Sequence, residues 1–198
     1  LRTETSKHVA TSQERKKMKI ALAQIKLKTG DFEFNFENIV SNIHNDVDLI
    51  IFPQADVSDL GGKDLIFDEN CRHSQIEFYQ RIADKNFTQN ILIGDVLIRN
   101  GEVEISDDGY FEICGEKVFV SDSFIEGIDC DLYVLSKNRY FAINTYKNFI
   151  ESIETSCNLV YINAMGLADA NVFAGGSFAK NAENKIVLQL PLCKQEVE

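Results

Sequence analysis

The sequence predicts an α/β fold in which sheet layers are flanked by helices, and three observations carry that reading. Short runs such as Leu49 to Phe52 and Leu132 to Leu135 are apolar at every position, as in strands covered on both faces. Between such runs lie segments whose apolar residues recur at helical spacing. Two dipeptides, Asn100-Gly101 and Asp108-Gly109, mark tight reversals because these residues tolerate positive φ. Alternation early and late, with hairpins in the middle, suits sheets with helices outside.

The elements follow in order. Residues 19–25 form the first strand, where Ala21 and Ala23 let layers approach closely. Asp31 precedes a helix with Phe32, Phe36, Ile39, Val40 and Ile43 on one face. The second strand is Leu49 to Phe52. Ser74 and Glu77 read as a capping box opening a helix that turns Ile76, Tyr79, Ile82 and Ala83 inward. Ile91 to Ile98 is a strand, followed by the hairpins, by Tyr110 to Ile113 and by Lys117 to Val120. After Leu132 to Leu135, the spacing predicts a helix over 140–157 with Ile143, Tyr146, Ile150, Ile153 and Cys157 along one stripe. Leu159 to Asn163, Ser177 to Lys180 and Lys185 to Leu190 complete the strands.

The chain of 198 residues is long enough for one well-buried domain and short for two. The expected division is a flexible N-terminal extension over 1–17, one domain over 18–191 and a C-terminal tail over 192–198. Residues 1–17 are polar and net basic, end in Arg15-Lys-Lys17 and lack a secretory apolar stretch; a start site at Met18 is the companion reading. No apolar stretch approaches the roughly 20 residues of a spanning helix. A net charge of −11 opposes binding to nucleic-acid phosphates or anionic lipid. Five widely spaced cysteines without a Cys-x-x-Cys pair give no metal site and suit free thiols in a reducing cytoplasm, with Cys130 and Cys157 as small core residues.

Three segments carry a family likeness: Met18-Lys-Ile-Ala-Leu-Ala-Gln-Ile25, Asp48-Leu-Ile-Ile-Phe-Pro-Gln54, and Ala174-Gly-Gly-Ser-Phe178 with Val160-Tyr-Ile-Asn163 and Gln189-Leu-Pro191. Together they resemble the nitrilase (carbon–nitrogen hydrolase) superfamily, and in particular the glutaminase domain of glutamine-dependent NAD synthetase. The resemblance implies a trimmed α-β-β-α four-layer sandwich. It also implies a Glu–Lys–Cys triad, in which the glutamate deprotonates the thiol, the lysine stabilises the oxyanion and the cysteine forms a thioester while ammonia leaves.

This chain departs from that triad at each place. The glutamate position holds Gln54, whose carboxamide has no basic lone pair near neutral pH. The segment that would carry the lysine is missing, since Arg99-Asn-Gly-Glu102 runs almost directly into Tyr110. The cysteine position falls on Ser123 without gaps, or on Ser121 with a two-residue shift. Asp122 lies beside both, but adjacent strand residues point to opposite faces. Cys114, next to Gly115, reads as a turn residue. His44 and His73 read as surface residues, and His8 lies in the extension. Gly61-Gly-Lys63 lacks the spacing of a phosphate loop, and Gly175-Gly176 reads as a place of close backbone approach. The Ser-Gly-Gly-x-Asp-Ser loop of a synthetase domain is absent from these residues.

The expected function is therefore a catalytically inactive, glutaminase-like domain acting as an interaction subunit. Its implied partner is a separately encoded NAD synthetase or a second copy of itself, with no cofactor or metal. The alternative is a divergent amidase that still hydrolyses a carbon–nitrogen bond to supply ammonia.

Overall fold

The computed structural model describes residues 17–58, 60, 62–142, 145–168 and 171–198. The expected extension thus lies, but for Lys17, outside the described residues. Two six-stranded sheets are packed face to face, with helices on their outer sides.

The first sheet contains β1 (Ile20–Gln24), β2 (Leu49–Phe52), β3 (Asn90–Ile93), β4 (Val96–Arg99), β5 (Glu102–Ile105) and β14 (Glu196–Val197), in the order β14-β1-β2-β3-β4-β5. Its first three strands are parallel, joined by crossovers through α1 (Phe32–Ser41) and α2 (Glu69–Ala83). The second contains β6 (Tyr110–Ile113), β7 (Glu116–Ser121), β8 (Leu132–Ser136), β9 (Asn158–Ile162), β12 (Phe178–Lys180) and β13 (Ile186–Gln189), in the order β13-β12-β9-β8-β7-β6. Here β7, β8 and β9 are parallel, and α3 (Thr145–Ser152) lies between the last two in sequence. A separate hairpin pairs β10 (Met165–Ala168) with β11 (Asn171–Ala174).

The period-2 alternation of strands divides the core into layers. Leu49, Ile51, Leu92 and Leu97 meet Val118, Val120, Val134 and Val160 between the sheets. Ile50, Phe52 and Ile91 face outward instead, against Ile39, Phe78 and Ile82 of the helices. On the opposite side Tyr133, Leu135, Tyr161 and Phe178 pack with Ile150 and Ile153. The result is the expected four-layer sandwich, and it explains why Leu49 to Phe52 and Leu132 to Leu135 are apolar at every position.

Several boundaries differ from the sequence expectation. α2 begins at Glu69 rather than near Ser74, because Asp68 caps it by accepting from the Cys71 N–H at 2.9 Å. The buried face is Phe78, Tyr79, Ile82 and Ala83, while Ile76 is exposed. Ile91 to Ile98 is not one strand: Gly94 and Asp95 turn it into the β3–β4 hairpin, with Ile93 opposite Val96. The helix expected over 140–157 is confined to α3, since Tyr140 instead bridges to Phe173; Ile143 lies outside the described residues. Residues 192–198, set apart by sequence as a tail, supply β14, which pairs antiparallel with β1.

The Gln24 side chain explains how the chain's two ends meet. It is fully buried, and its Nε2 donates to the carbonyls of Pro191 (2.7 Å) and Lys194 (2.8 Å). Its Oε1 accepts from the Ser177 N–H at 2.8 Å. Gly175, at φ +70°, closes over this carboxamide; a Cβ there would come within 2.3 Å of it. The Gly-Gly-Ser segment is thus a close-approach device, as expected from its glycines.

Candidate functional site

A cleft of about 330 Å³ opens at the carboxyl ends of β2, β7 and β8, where the two sheets meet. Crevices at strand carboxyl ends are the usual ligand positions of α/β sheets. Gln54 and Asp56 reach it from the turn after β2, Asp95 from the β3–β4 turn and Ser106 from the turn after β5. Ser121 and Asp122 enter from the end of β7, and Ser136 from the end of β8.

Gln54 is fixed from several directions. Asn138 donates from Nδ2 to its backbone carbonyl at 2.7 Å, while the Asn138 Oδ1 accepts from the Ala164 N–H at 3.0 Å. The Gln54 Nε2 donates to Asp56 Oδ2 and, at 3.2 Å, to Asp95 Oδ1. Gly94, at φ +63°, lies under the carboxamide so closely that a Cβ would fall 1.6 Å from Oε1. On the far side of Asp56, the buried Tyr79 hydroxyl donates to Oδ1 at 3.0 Å. Burial pushes the Tyr79 phenol well up, and the Asp56 carboxylate adds to the shift, so the hydroxyl keeps its proton for that bond.

The serines separate into two roles. Ser121, the last residue of β7, lines the cleft, and its hydroxyl donates to the Ser123 carbonyl at 2.7 Å. Ser123 is exposed outside the cleft wall, with its hydroxyl donating to Asp122 Oδ1 at 2.9 Å. Of the two sequence candidates, the structure therefore brings Ser121 and not Ser123 to the cleft that holds Gln54. Among the described residues that line the cleft there is no lysine and no cysteine. Lys137 stands at the rim, its Nζ 3.6 Å from Asp122 Oδ2. Lys117 pairs elsewhere, with Asp129 at 3.2 Å.

The remaining candidates lie apart from the cleft. Cys114 is an exposed turn residue at φ +54° between β6 and β7. His44 is exposed, and His73 pairs with Glu77 along the exposed face of α2 at 3.1 Å. Cys130 and Cys157 place their sulfurs 3.3 Å apart at the starts of β8 and β9, where burial and the neighbouring thiol push Cys130 up to about 12. Among the described residues, no group of three or more His, Cys, Asp or Glu could hold a metal ion.

Sequence reasoning missed Asp56, Asp95, Tyr79 as a partner of Asp56, and Ser136. Gly94-Asp95 was a legible signal, being a two-residue turn between apolar runs. Ser136 carried none, since it follows an apolar strand without a motif.

No family model matches this sequence, and no curated protein matches it. Solved structures do match the fold. Glutamine-dependent NAD+ synthetase from Acinetobacter baumannii, in complex with ADP, superposes with a TM-score of 0.76 at 18% identity, over 91% of this chain and 44% of that one. A glutamine-dependent NAD(+) synthetase from Cytophaga hutchinsonii gives 0.74 at 15% identity, over 91% and 42%. A mutant of the amidase from Nesterenkonia sp. AN1, with an acetamide moiety covalently added at its active-site cysteine, gives 0.70 at 14% identity over 96% and 91%. The chain has the carbon–nitrogen hydrolase (nitrilase) fold. It spans less than half the length of the two NAD synthetases. Within this fold, Gln54 and Ser121 line one cleft at the strand ends.

Proposed function

We propose that this chain is a non-catalytic, glutaminase-like domain of the carbon–nitrogen hydrolase fold that serves as an interaction subunit. The observation that carries the reading is the Gln54 carboxamide, which spends its N–H groups on Asp56 and Asp95. A group that donates to two carboxylates cannot accept a nucleophile's proton. The Ser121 hydroxyl gives its proton to a peptide carbonyl, which is no base, so it too is left unactivated. With no lysine in the wall among the described residues, a developing oxyanion would face three carboxylates.

An interaction role draws support from an exposed apolar patch on the β10–β11 hairpin and the segment beside it. Leu167 and Val172 are cross-strand partners there, with Tyr140 and Phe141 bridged to the same hairpin. Leu167 is 71% exposed. Apolar clusters of this kind mark docking faces. A separately encoded NAD synthetase or a second copy of the chain is the partner in this reading.

The second reading, a divergent amidase, is favoured by Lys137 at the cleft rim, whose ammonium is the nearest substitute for an oxyanion partner. Ammonia release from glutamine separates the two. The non-catalytic reading expects none above background from the native chain. Turnover that disappears in Ser121→Ala or Lys137→Ala would establish the amidase instead.

A further inference from the structure

The cleft has lost the features of an amide-hydrolysing site, yet its wall is not inert. Asp56, Asp95 and Asp122 present carboxylates, and Ser58, Ser121 and Ser136 present hydroxyls, around a space of about 330 Å³. Among the described residues, the ammonium set against these carboxylates is that of Lys137, 3.6 Å from Asp122. The Gln54 N–H groups are already given to Asp56 and Asp95. What the wall offers to an incoming molecule is therefore acceptor oxygen and negative potential.

Ser136 supplies an independent pointer. It is 2% exposed, it lines the cleft, and its Oγ has no hydrogen-bond partner among the described residues. Buried hydroxyls are almost always paired, and an unpaired one at the base of a polar cleft marks the place of a ligand atom. Asp95, which also lines the cleft, uses Oδ1 for Gln54 and is exposed.

We propose that this cleft binds a small organic cation carrying primary ammonium groups, such as an alkyl diamine. One ammonium would donate to the Ser136 hydroxyl inside the cleft while a positive group nearer the mouth meets Asp95. The volume lies at the lower end of small-molecule sites and admits a chain of a few carbons. A bare metal ion fits less well, because no three potential ligands among the described residues converge on one point. An anionic ligand would be opposed by the wall itself and by the chain's net charge of −11. Occupancy does not require turnover, so this inference stands or falls apart from the absence of ammonia release.

The test is calorimetric titration of the full chain with putrescine at low salt, beside glutarate and magnesium chloride as probes of opposite charge and of a metal ion. Expected is saturable one-to-one binding of putrescine that weakens as salt is raised. Asp95→Asn, an exposed change, should weaken it about five-fold. Ser136→Ala should weaken it about three-fold or more by removing a buried acceptor. Asp129→Asn, which removes a carboxylate outside the cleft, should leave it unchanged. Putrescine affinity that falls equally in all three variants would reduce the effect to bulk charge and overturn the proposal. So would a failure to bind putrescine, or preferential binding of glutarate or magnesium at the same residues. Unfolding midpoints of the variants show that each is folded, and either cleft variant alone decides the outcome.

Discussion

Replacing Gln54 by glutamate restores the residue that the carbon–nitrogen hydrolase resemblance leads one to expect, and the structure says that it should harm the protein. The wild-type Nε2 donates to Asp56 and to Asp95, the latter at 3.2 Å. In Gln54→Glu both donations are lost, and a third carboxylate oxygen occupies the donor's place. At 3.2 Å, and with an effective dielectric between the protein-surface and bulk-water values, each carboxylate contact costs about 1–5 kcal/mol. Asp95 is exposed and lies toward the lower figure. A net loss of about 3 kcal/mol at neutral pH follows, on the order of a third of a typical domain's stability.

The sign with pH is fixed by the same contacts. A glutamate held against two carboxylates has its folded pKa raised above its unfolded value near about 4.3. The folded variant then holds a proton that the unfolded chain has released. Its penalty is absent below the unfolded pKa, grows as pH rises through the interval between the two values, and is constant above the folded one. Urea unfolding of both proteins at about pH 5 and about pH 8 should show the gap between them widening at the higher pH. A variant as stable as the wild type at both would refute the account, because it would mean that a cation neutralises the carboxylates around residue 54.

Four further outcomes follow from single contacts. Lys180 is buried, with its Nζ donating to the carbonyls of Ile150 (2.7 Å) and Ile153 (2.6 Å) at the end of α3; burial also lowers its pKa. Lys180→Met should cost about 2 kcal/mol in urea unfolding, since both carbonyls lose their donor. Gly175→Ala should cost more than an ordinary surface change, about 2 kcal/mol or more, through its positive φ and the collision with Gln24; a wild-type melting temperature would contradict this. Removing residues 192–198 should lower the melting temperature, because it deletes β14 and the Lys194 carbonyl that Gln24 holds. In timed thiol labelling, the exposed Cys114 and Cys193 should react first, the half-buried Cys130 more slowly, and the buried Cys157 only on unfolding.

The layers of the fold were legible because they depend on patterns that a strand or helix repeats. Runs apolar at every position gave β2 and most of β8, and Asn100-Gly101 gave the β4–β5 hairpin, whereas Asp108-Gly109 turns the chain from β5 to β6 of the other sheet and the β6–β7 hairpin reverses at Cys114-Gly115. The misplaced start of α2 shows the limit of local signals. Ser74 and Glu77 satisfy the spacing of a capping box, but Asp68 caps earlier and lets the stripe of Phe78 and Ile82 reach the sheet. β14 was hidden because a two-residue strand has no period to read; the buried Gln24 and the β1 edge decide it. At the site, Gln54 and Ser121 were singled out through family likeness; the turn that carries Asp95 had a local signal, but its place beside Gln54, like that of Ser136 beside Ser121, comes from long-range pairing of strands. Such pairing has no trace within a sequence window.

The inactivity of the Ser121 hydroxyl is put to the test by intact-mass analysis after prolonged incubation with a glutamine-like diazoketone, an electrophile that captures activated nucleophiles. The Ser121 proton is tied to the Ser123 carbonyl and Gln54 offers no base, so the wild type should keep an unmodified mass. A one-to-one adduct that peptide mapping places on Ser121, and that Ser121→Ala abolishes, would show an activated nucleophile in the cleft and contradict the account.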